Sequence, residues 1–343
     1  MNTFLVKTLL FLLPFFSVTA TFFIFDPFKI WYAYDDYFSD YSIIINRDYA
    51  GTELYMQNRK KMHYDSFIFG SSRTLAFNTK DWKPYLQNNA SPFVFWASGE
   101  TLFGMWSKIK FLHSLNDTIK NSILVMDNGA TLNRTGNSKG HIFIKHPLLS
   151  NGSRYEFYSS FVYAYMADFF FVRYLDYCFF KRYRPYMKGF IDERIVKSDP
   201  VTNDFYRISN QVERNRNMKD YYSKREKMFY ARPQNPVTSK AIIRPPQLTM
   251  LKDIAEIFGK MGTQYKIVIG PMYDQKKFNA GDLEILYELF GKQNVFDYTG
   301  INFITESREN YYDDNHYMPH VGQKILKEIY SRENLNPDDK YDE

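Results

Sequence analysis

A chain of 343 residues is long enough to bury a full α/β core and still carry an insertion or a second small domain. Charged residues make up 24% of it, the proportion of an ordinary folded protein, the net charge is +6, and no nucleic-acid partner is expected. The single cysteine, Cys178, excludes an intrachain disulfide and a cysteine-based metal site, while 29 Tyr and 32 Phe exceed what a plain core requires and point to rings lining a groove or interface.

Residues 8–25 (TLLFLLPFFSVTATFFIF) carry no charge and, with Phe4 to Val6, approach the roughly 20 apolar residues that cross a bilayer as a helix. The amino terminus and Lys7 precede this span, and Asp26, Asp35, Asp36 and Asp40 follow it, so the positive-inside rule puts the body of the protein outside. Val18 and Ala20 before Thr21 also fit a cleaved signal peptide, but the apolar run continues through Phe25 and favours an uncleaved anchor. Residues 1–27 are therefore read as a transmembrane anchor, and 28–62 as a polar, aromatic juxtamembrane segment.

From there short apolar runs alternate with amphipathic stretches, the pattern of parallel βα units. Ser66 to Phe69, Pro92 to Ala97 and Ser122 to Met126 read as buried strands. Lys266 to Ile269 and Asn294 to Tyr298 restore the pattern later, preceded by helices over Leu248 to Phe258 and Asp282 to Phe290 that Gly259 and Gly291 are suited to end. About five parallel strands with helical crossovers predict a three-layer α/β/α, flavodoxin-like sheet with its ligand site at the carboxyl ends of the strands. The α/β domain is assigned to 63–132 and 248–343.

Residues 133–247 fit no βα unit and are read as an inserted, mostly helical subdomain, aromatic and basic in composition. Ser153 and Glu156 form a capping-box pattern before a long aromatic helix expected to reach about Phe180. Between Lys181 and Lys240 basic residues outnumber acidic ones, which suits either a solvated face or an anionic glycan, lipid headgroup or partner surface.

Two segments could carry chemistry. In Phe67-Ile-Phe-Gly-Ser-Ser-Arg-Thr74 a buried strand runs through a glycine turn into Ser71 and Ser72 at the start of a helix. A serine there lies beside backbone N–H groups and a helix dipole that favour a developing oxyanion, although capping the helix is an equally common job for it. In Tyr311-Tyr-Asp-Asp-Asn-His-Tyr-Met-Pro-His320, Asp313 stands three residues before His316, a spacing that lets the carboxylate orient the imidazole while the other ring nitrogen faces a serine. The same loop could be read as a metal site, but Pro319 breaks the register that would pair His316 with His320, and no metal is expected. His63, His113, His141 and His146 are assigned no role.

Gly70-Ser71-Ser72 followed far downstream by Asp313-x-x-His316 resembles the SGNH (GDSL-type) hydrolase superfamily over residues 64–333. The resemblance implies Ser72 as nucleophile, His316 as base and Asp313 as its orienting acid, with no cofactor. It also implies an oxyanion hole from Ser72, Gly99 after the second strand and Asn128 after the third, although the glycine usual two residues before that asparagine is Met126 here. Gly-Ser-Ser-Arg in place of Gly-Asp-Ser looks like membrane-anchored members that modify envelope polymers, such as those of alginate O-acetylation and teichoic-acid D-alanylation. Arg73 stands as a substrate-binding or a structural residue.

The implied function is an acyl-ester hydrolase or O-acyltransferase acting on a cell-envelope polysaccharide. It would sit on a bacterial inner or cytoplasmic membrane and face the periplasm or exterior, beside a multispanning membrane-bound O-acyltransferase. The alternative is a non-catalytic assembly or recruitment subunit of an envelope polymer acylation or export complex.

Overall fold

Runs rich in Phe, Ile and Val form the strands because both faces of each are covered, so no polar alternation is needed. In the computed structural model, which describes residues 2–38, 43–127, 129–191, 196–233 and 235–331, five strands make one parallel sheet. They are β1 (Ser66–Gly70), β2 (Pro92–Trp96), β3 (Asn121–Met126), β4 (Gln264–Ile269) and β5 (Val295–Asp297), in the order β2-β1-β3-β4-β5. The register pairs Ser66 with both Pro92 and Asn121, so β1, β2 and β3 end at one edge.

The helices of six residues or more, in chain order, are α1 (Asn2–Phe25), α2 (Arg47–Met62), α3 (Leu102–Ser114), α4 (Arg154–Met166), α5 (Phe170–Phe180), α6 (Ile208–Arg216) and α7 (Met218–Ser223). After the insertion come α8 (Pro245–Met261), α9 (Ala280–Phe290) and α10 (Pro319–Ser331). Phe67, Phe69, Phe93, Phe95 and Leu124 face a core closed by Tyr55 of α2 and by α3, α8 and α9. Ile68, Val94, Ile123, Val125 and Val268 face the opposite core, closed by α10 and by Phe205, Tyr221 and Tyr222 of the insertion. Each such fully buried side chain contributes roughly 1.5–3 kcal/mol.

A third core joins the end of α1 to α2 and the first part of the insertion, with Phe22, Phe28, Ile30, Tyr49, Leu54, Phe157, Phe161 and Tyr165 buried together. Thr3–Phe25 is long and apolar enough to cross a membrane, consistent with a single-pass anchor. Asp26 turns the chain as it leaves that helix, its carboxylate accepting the N–H groups of Ile30 (2.8 Å), Trp31 (2.9 Å) and Tyr32 (3.2 Å).

The expected single helix from Ser153 to Phe180 is two, because Asp168 (φ 50°) and Phe169 (φ 53°) take left-handed conformations between α4 and α5. The Ser153 hydroxyl accepts the Glu156 N–H at the start of α4. The expected stop at Gly259 is also displaced: α8 runs on to Met261 and ends at Gly262, whose φ of +63° suits a residue without a side chain. Gly291 (φ +80°) does end α9.

Four charges are buried together where segments far apart in sequence meet. Asp48 of α2, Glu100 after β2, Lys108 of α3 and Lys145 of the insertion are each at most 1% exposed. Both ammonium groups touch both carboxylates, with Lys108 and Lys145 at 3.2 and 3.3 Å from Asp48. Burial opposes the Asp48 charge, but Lys145, Lys108 and the His146 N–H outweigh it and hold its carboxyl well below the usual range.

The outer side of β2 is covered as well: Val94 donates to Thr202 O (2.9 Å) and accepts from Asn203 Nδ2 (2.7 Å).

Gly322 marks a close approach of helix to backbone, since a Cβ there would lie 2.0 Å from Ala76 O in the turn that follows β1. Gly322→Ala is expected to cost about 1–3 kcal/mol by overpacking, read as a lower urea midpoint with unchanged slope. Gly259→Ala, in open space on α8, is expected to raise the same midpoint by up to about 1 kcal/mol of helix propensity.

Candidate active site

Gly70 ends β1 with φ +149°, and a Cβ on it would meet Val125 O at 2.6 Å, so only glycine lets the chain turn this close to β3. The turn delivers a short 3-10 helix, Ser72–Ala76. Ser71 sits at its N-cap, its side chain accepting from the Arg73 N–H, so of the two serines it takes the capping role. Ser72 points elsewhere.

Ser72 Oγ lies 2.8 Å from His316 Nε2, and His316 Nδ1 lies 2.7 Å from Asp313 Oδ1. Asp313 and His316 face each other across a tight two-stranded ribbon, β6 (Tyr311–Asp313) and β7 (His316–Tyr317). Within its turn the Asn315 N–H donates to Asp313 Oδ1 at 2.9 Å, which fixes the carboxylate before it meets the imidazole. With Nδ1–H donated to Asp313, Nε2 is left to accept the Ser72 hydroxyl proton. His320 turns away and pairs through Nε2 with Asn310 Oδ1 at 2.9 Å.

Burial sets the His316 pKa below its ordinary value, and the charges of Arg207 and Arg73 add to that against the opposing pull of Asp313. Burial works the other way on Asp313, but the hydrogen bond and charge of His316, with Arg207 and the Asn315 N–H, hold it below the ordinary carboxylate range. At neutral pH the arrangement is thus a neutral imidazole beside an ionised carboxylate, the state a general base requires.

Arg73 makes a buried ion pair of 2.6 Å with Asp127, the residue after β3, and its Nη1 also donates to the Ser71 hydroxyl at 3.3 Å. Asp127 also accepts the Gly129 N–H (3.0 Å) and the Thr131 hydroxyl. Arg73 therefore ties the Ser72 turn to the loop after β3. Gly99 lies in the loop after β2 with φ +56°, and that loop is attached to the serine turn by the Ala97 N–H, which donates to Gly70 O at 3.2 Å. Asn128 lies outside the described residues.

Sequence reasoning missed what the insertion brings. Phe205, Tyr206, Arg207 and Gln211 line the small cavity over Ser72 together with Leu75, Tyr312 and His316. Arg207 Nη1 reaches the second Asp313 oxygen at 3.4 Å. Tyr221 and Tyr222 donate to the backbone oxygens of Tyr312 (2.9 Å) and Tyr311 (3.1 Å), and Gln211 donates to the Tyr312 hydroxyl (2.9 Å), so the ribbon is fastened from the insertion side. The only signal for these residues was the excess of tyrosine and arginine in the stretch. A far larger cavity, about 610 Å³, lies away from Ser72 among Phe28, Ile142, Ile144, Ala164 and Phe170, with no part of the hydrogen-bonded line in it.

No protein-family model matches the chain, and no curated protein matches it significantly. The geometry is therefore the ground for a functional reading.

Proposed function

We propose that the chain is a membrane-anchored, outward-facing SGNH-like serine esterase or O-acyltransferase acting on a cell-envelope polysaccharide or similar polymer. The observation that carries this reading is the continuous Ser72–His316–Asp313 hydrogen-bonded line at the carboxyl edge of a parallel sheet. The strand order and the helices packed on both faces agree with a flavodoxin-like three-layer architecture.

In this reading Ser72 Oγ attacks the acyl carbonyl carbon as its proton passes to His316 Nε2. The oxyanion takes hydrogen bonds from the N–H groups of Ser72 and Gly99 and from Asn128. His316 then protonates the departing alkoxide, leaving an acyl-serine. A sugar hydroxyl that gives its proton to His316 attacks this ester, the acyl–Oγ bond breaks and His316 returns the proton to Ser72 Oγ, which completes transfer; water in its place completes hydrolysis. An anchor beside a membrane-delivered donor raises local concentration and favours transfer, with a multispanning O-acyltransferase as the fitting neighbour.

The same line predicts a pH profile. Activity requires neutral His316, so kcat/KM for an aryl acetate is expected to fall as pH drops through an apparent pKa below 6.5. Arg207→Gln removes a positive charge that lowers that pKa, and the acid limb is expected to move to higher pH. A limb that stays in place removes Arg207 from the account.

The test of the reading is labelling of the full chain with a fluorophosphonate, followed by peptide mass analysis. Adduct on Ser72, lost in Ser72→Ala, is the expected result. The close covering of Ser72 by Phe205, Tyr206 and Arg207 favours a second reading, a recruitment subunit in which the line is vestigial. Neither labelling nor aryl-acetate turnover by wild-type protein selects that one.

A further inference from the structure

α4 and α5 carry rings that no core absorbs. Tyr155, Tyr163, Phe169, Phe179 and Phe180 are all at least 67% exposed, and Val162, Met166 and Val172 are exposed beside them. Single exposed apolar residues are ordinary, whereas a contiguous set marks an interaction surface. On α4 the exposed positions fall at i, i+7, i+8 and i+11, and at the start of α5 and along it at i, i+3, i+10 and i+11, so each helix presents one side.

What covers these sides follows from the anchor. The last turn of α1 lies against both helices: Thr21 Oγ1 is 2.9 Å from the Tyr165 hydroxyl, the Phe25 and Phe179 rings are 6.0 Å apart, and the Tyr174 hydroxyl donates to Phe25 O at 3.3 Å. A helix that crosses a bilayer ends at its surface, so whatever packs on its final turn shares that depth. Phe23 and Ile24, on that turn, are exposed in the same way, and Trp31 stacks on Tyr158 of α4 at 4.7 Å, an indole and a phenol where a membrane interface favours them. Exposed Lys181, Arg182 and Lys188 follow α5 and supply cations at the edge of the apolar face.

We propose that the exposed faces of α4 and α5 are seated in the interfacial layer of the same bilayer that holds α1, with anionic lipid headgroups against Lys181 and Arg182. The insertion is then a second membrane contact that fixes how the domain is oriented over the lipid. This does not depend on the chemistry at Ser72.

The test uses the full chain in nanodiscs of neutral and anionic phospholipid, with an environment-sensitive fluorophore on one cysteine. Native Cys178 on α5 carries it without substitution, and Phe169→Cys, Phe180→Cys and, as a remote control on α8, Lys252→Cys carry it in a Cys178→Ala background. Doxyl-labelled lipid is expected to quench positions 169 and 180 at least twofold more than 252, with aqueous iodide showing the reverse order. Iodide quenching at 169 and 180 equal to that at 252 overturns the proposal. Shielding that appears only when a co-purified membrane protein is added back also overturns it and assigns the face to a protein.

Discussion

His316→Ala is expected to slow aryl-acetate turnover by about 10⁴-fold or more, and Ser72→Ala by a similar factor. In the proposed mechanism the two groups act in one step, joined by the 2.8 Å contact between Oγ and Nε2, so the double variant is expected to be no slower than either single one. Additive losses in the double variant mean that the two do not share a step. Asp313→Asn is the more instructive change, because the amide keeps the shape while its NH₂ can no longer accept the Nδ1–H. It therefore favours the wrong tautomer, with a loss on the order of 10⁴-fold in kcat. The measurement is steady-state kinetics at pH 8, above the His316 limb.

The largest effect on stability is expected from Lys145→Met. That change leaves the Asp48 and Glu100 carboxylates sharing one ammonium group in a site that water does not reach. Breaking a buried set of this kind costs about 3–5 kcal/mol, far more than loss of an exposed pair. Adding Glu100→Gln to Lys145→Met restores neutrality and is expected to recover part of the loss, which thermal unfolding of the two variants against wild type will show. Gly104 belongs to the same site, since a Cβ on it would fall 1.9 Å from Glu100 Oε1. The cluster also bears on the candidate oxyanion site, because Glu100 adjoins Gly99 in the chain.

The parallel strands were legible because each is a short run buried on both faces, and Ser66–Gly70 and Asn121–Met126 lie within a residue of where their apolar runs place them. Ser72, Asp313 and His316 stood out because each carries its own local geometry, a glycine turn in one case and a three-residue spacing in the other. The break between α4 and α5 left no mark, since aromatic residues resume at Phe169 directly after Met166, Ala167 and Asp168, and the break itself is in the backbone angles. Arg207 and Gln211 were invisible for another reason. Their partners in the ribbon lie 106 and 101 residues away, and no periodicity reports a contact at that separation. The buried charges share that fate, for Asp48, Glu100, Lys108 and Lys145 each look like surface residues until four segments are brought together.

The hydrogen bonds that join Val94 with Thr202 and Asn203 also limit how this chain can be cut. β2 is an outermost strand, and without the turn at 199–204 its free N–H and C=O groups would be a template on which a second molecule could add a strand. The insertion therefore covers that edge, and a trimmed chain lacking it is expected to polymerise through β2 however well the remaining sheet folds.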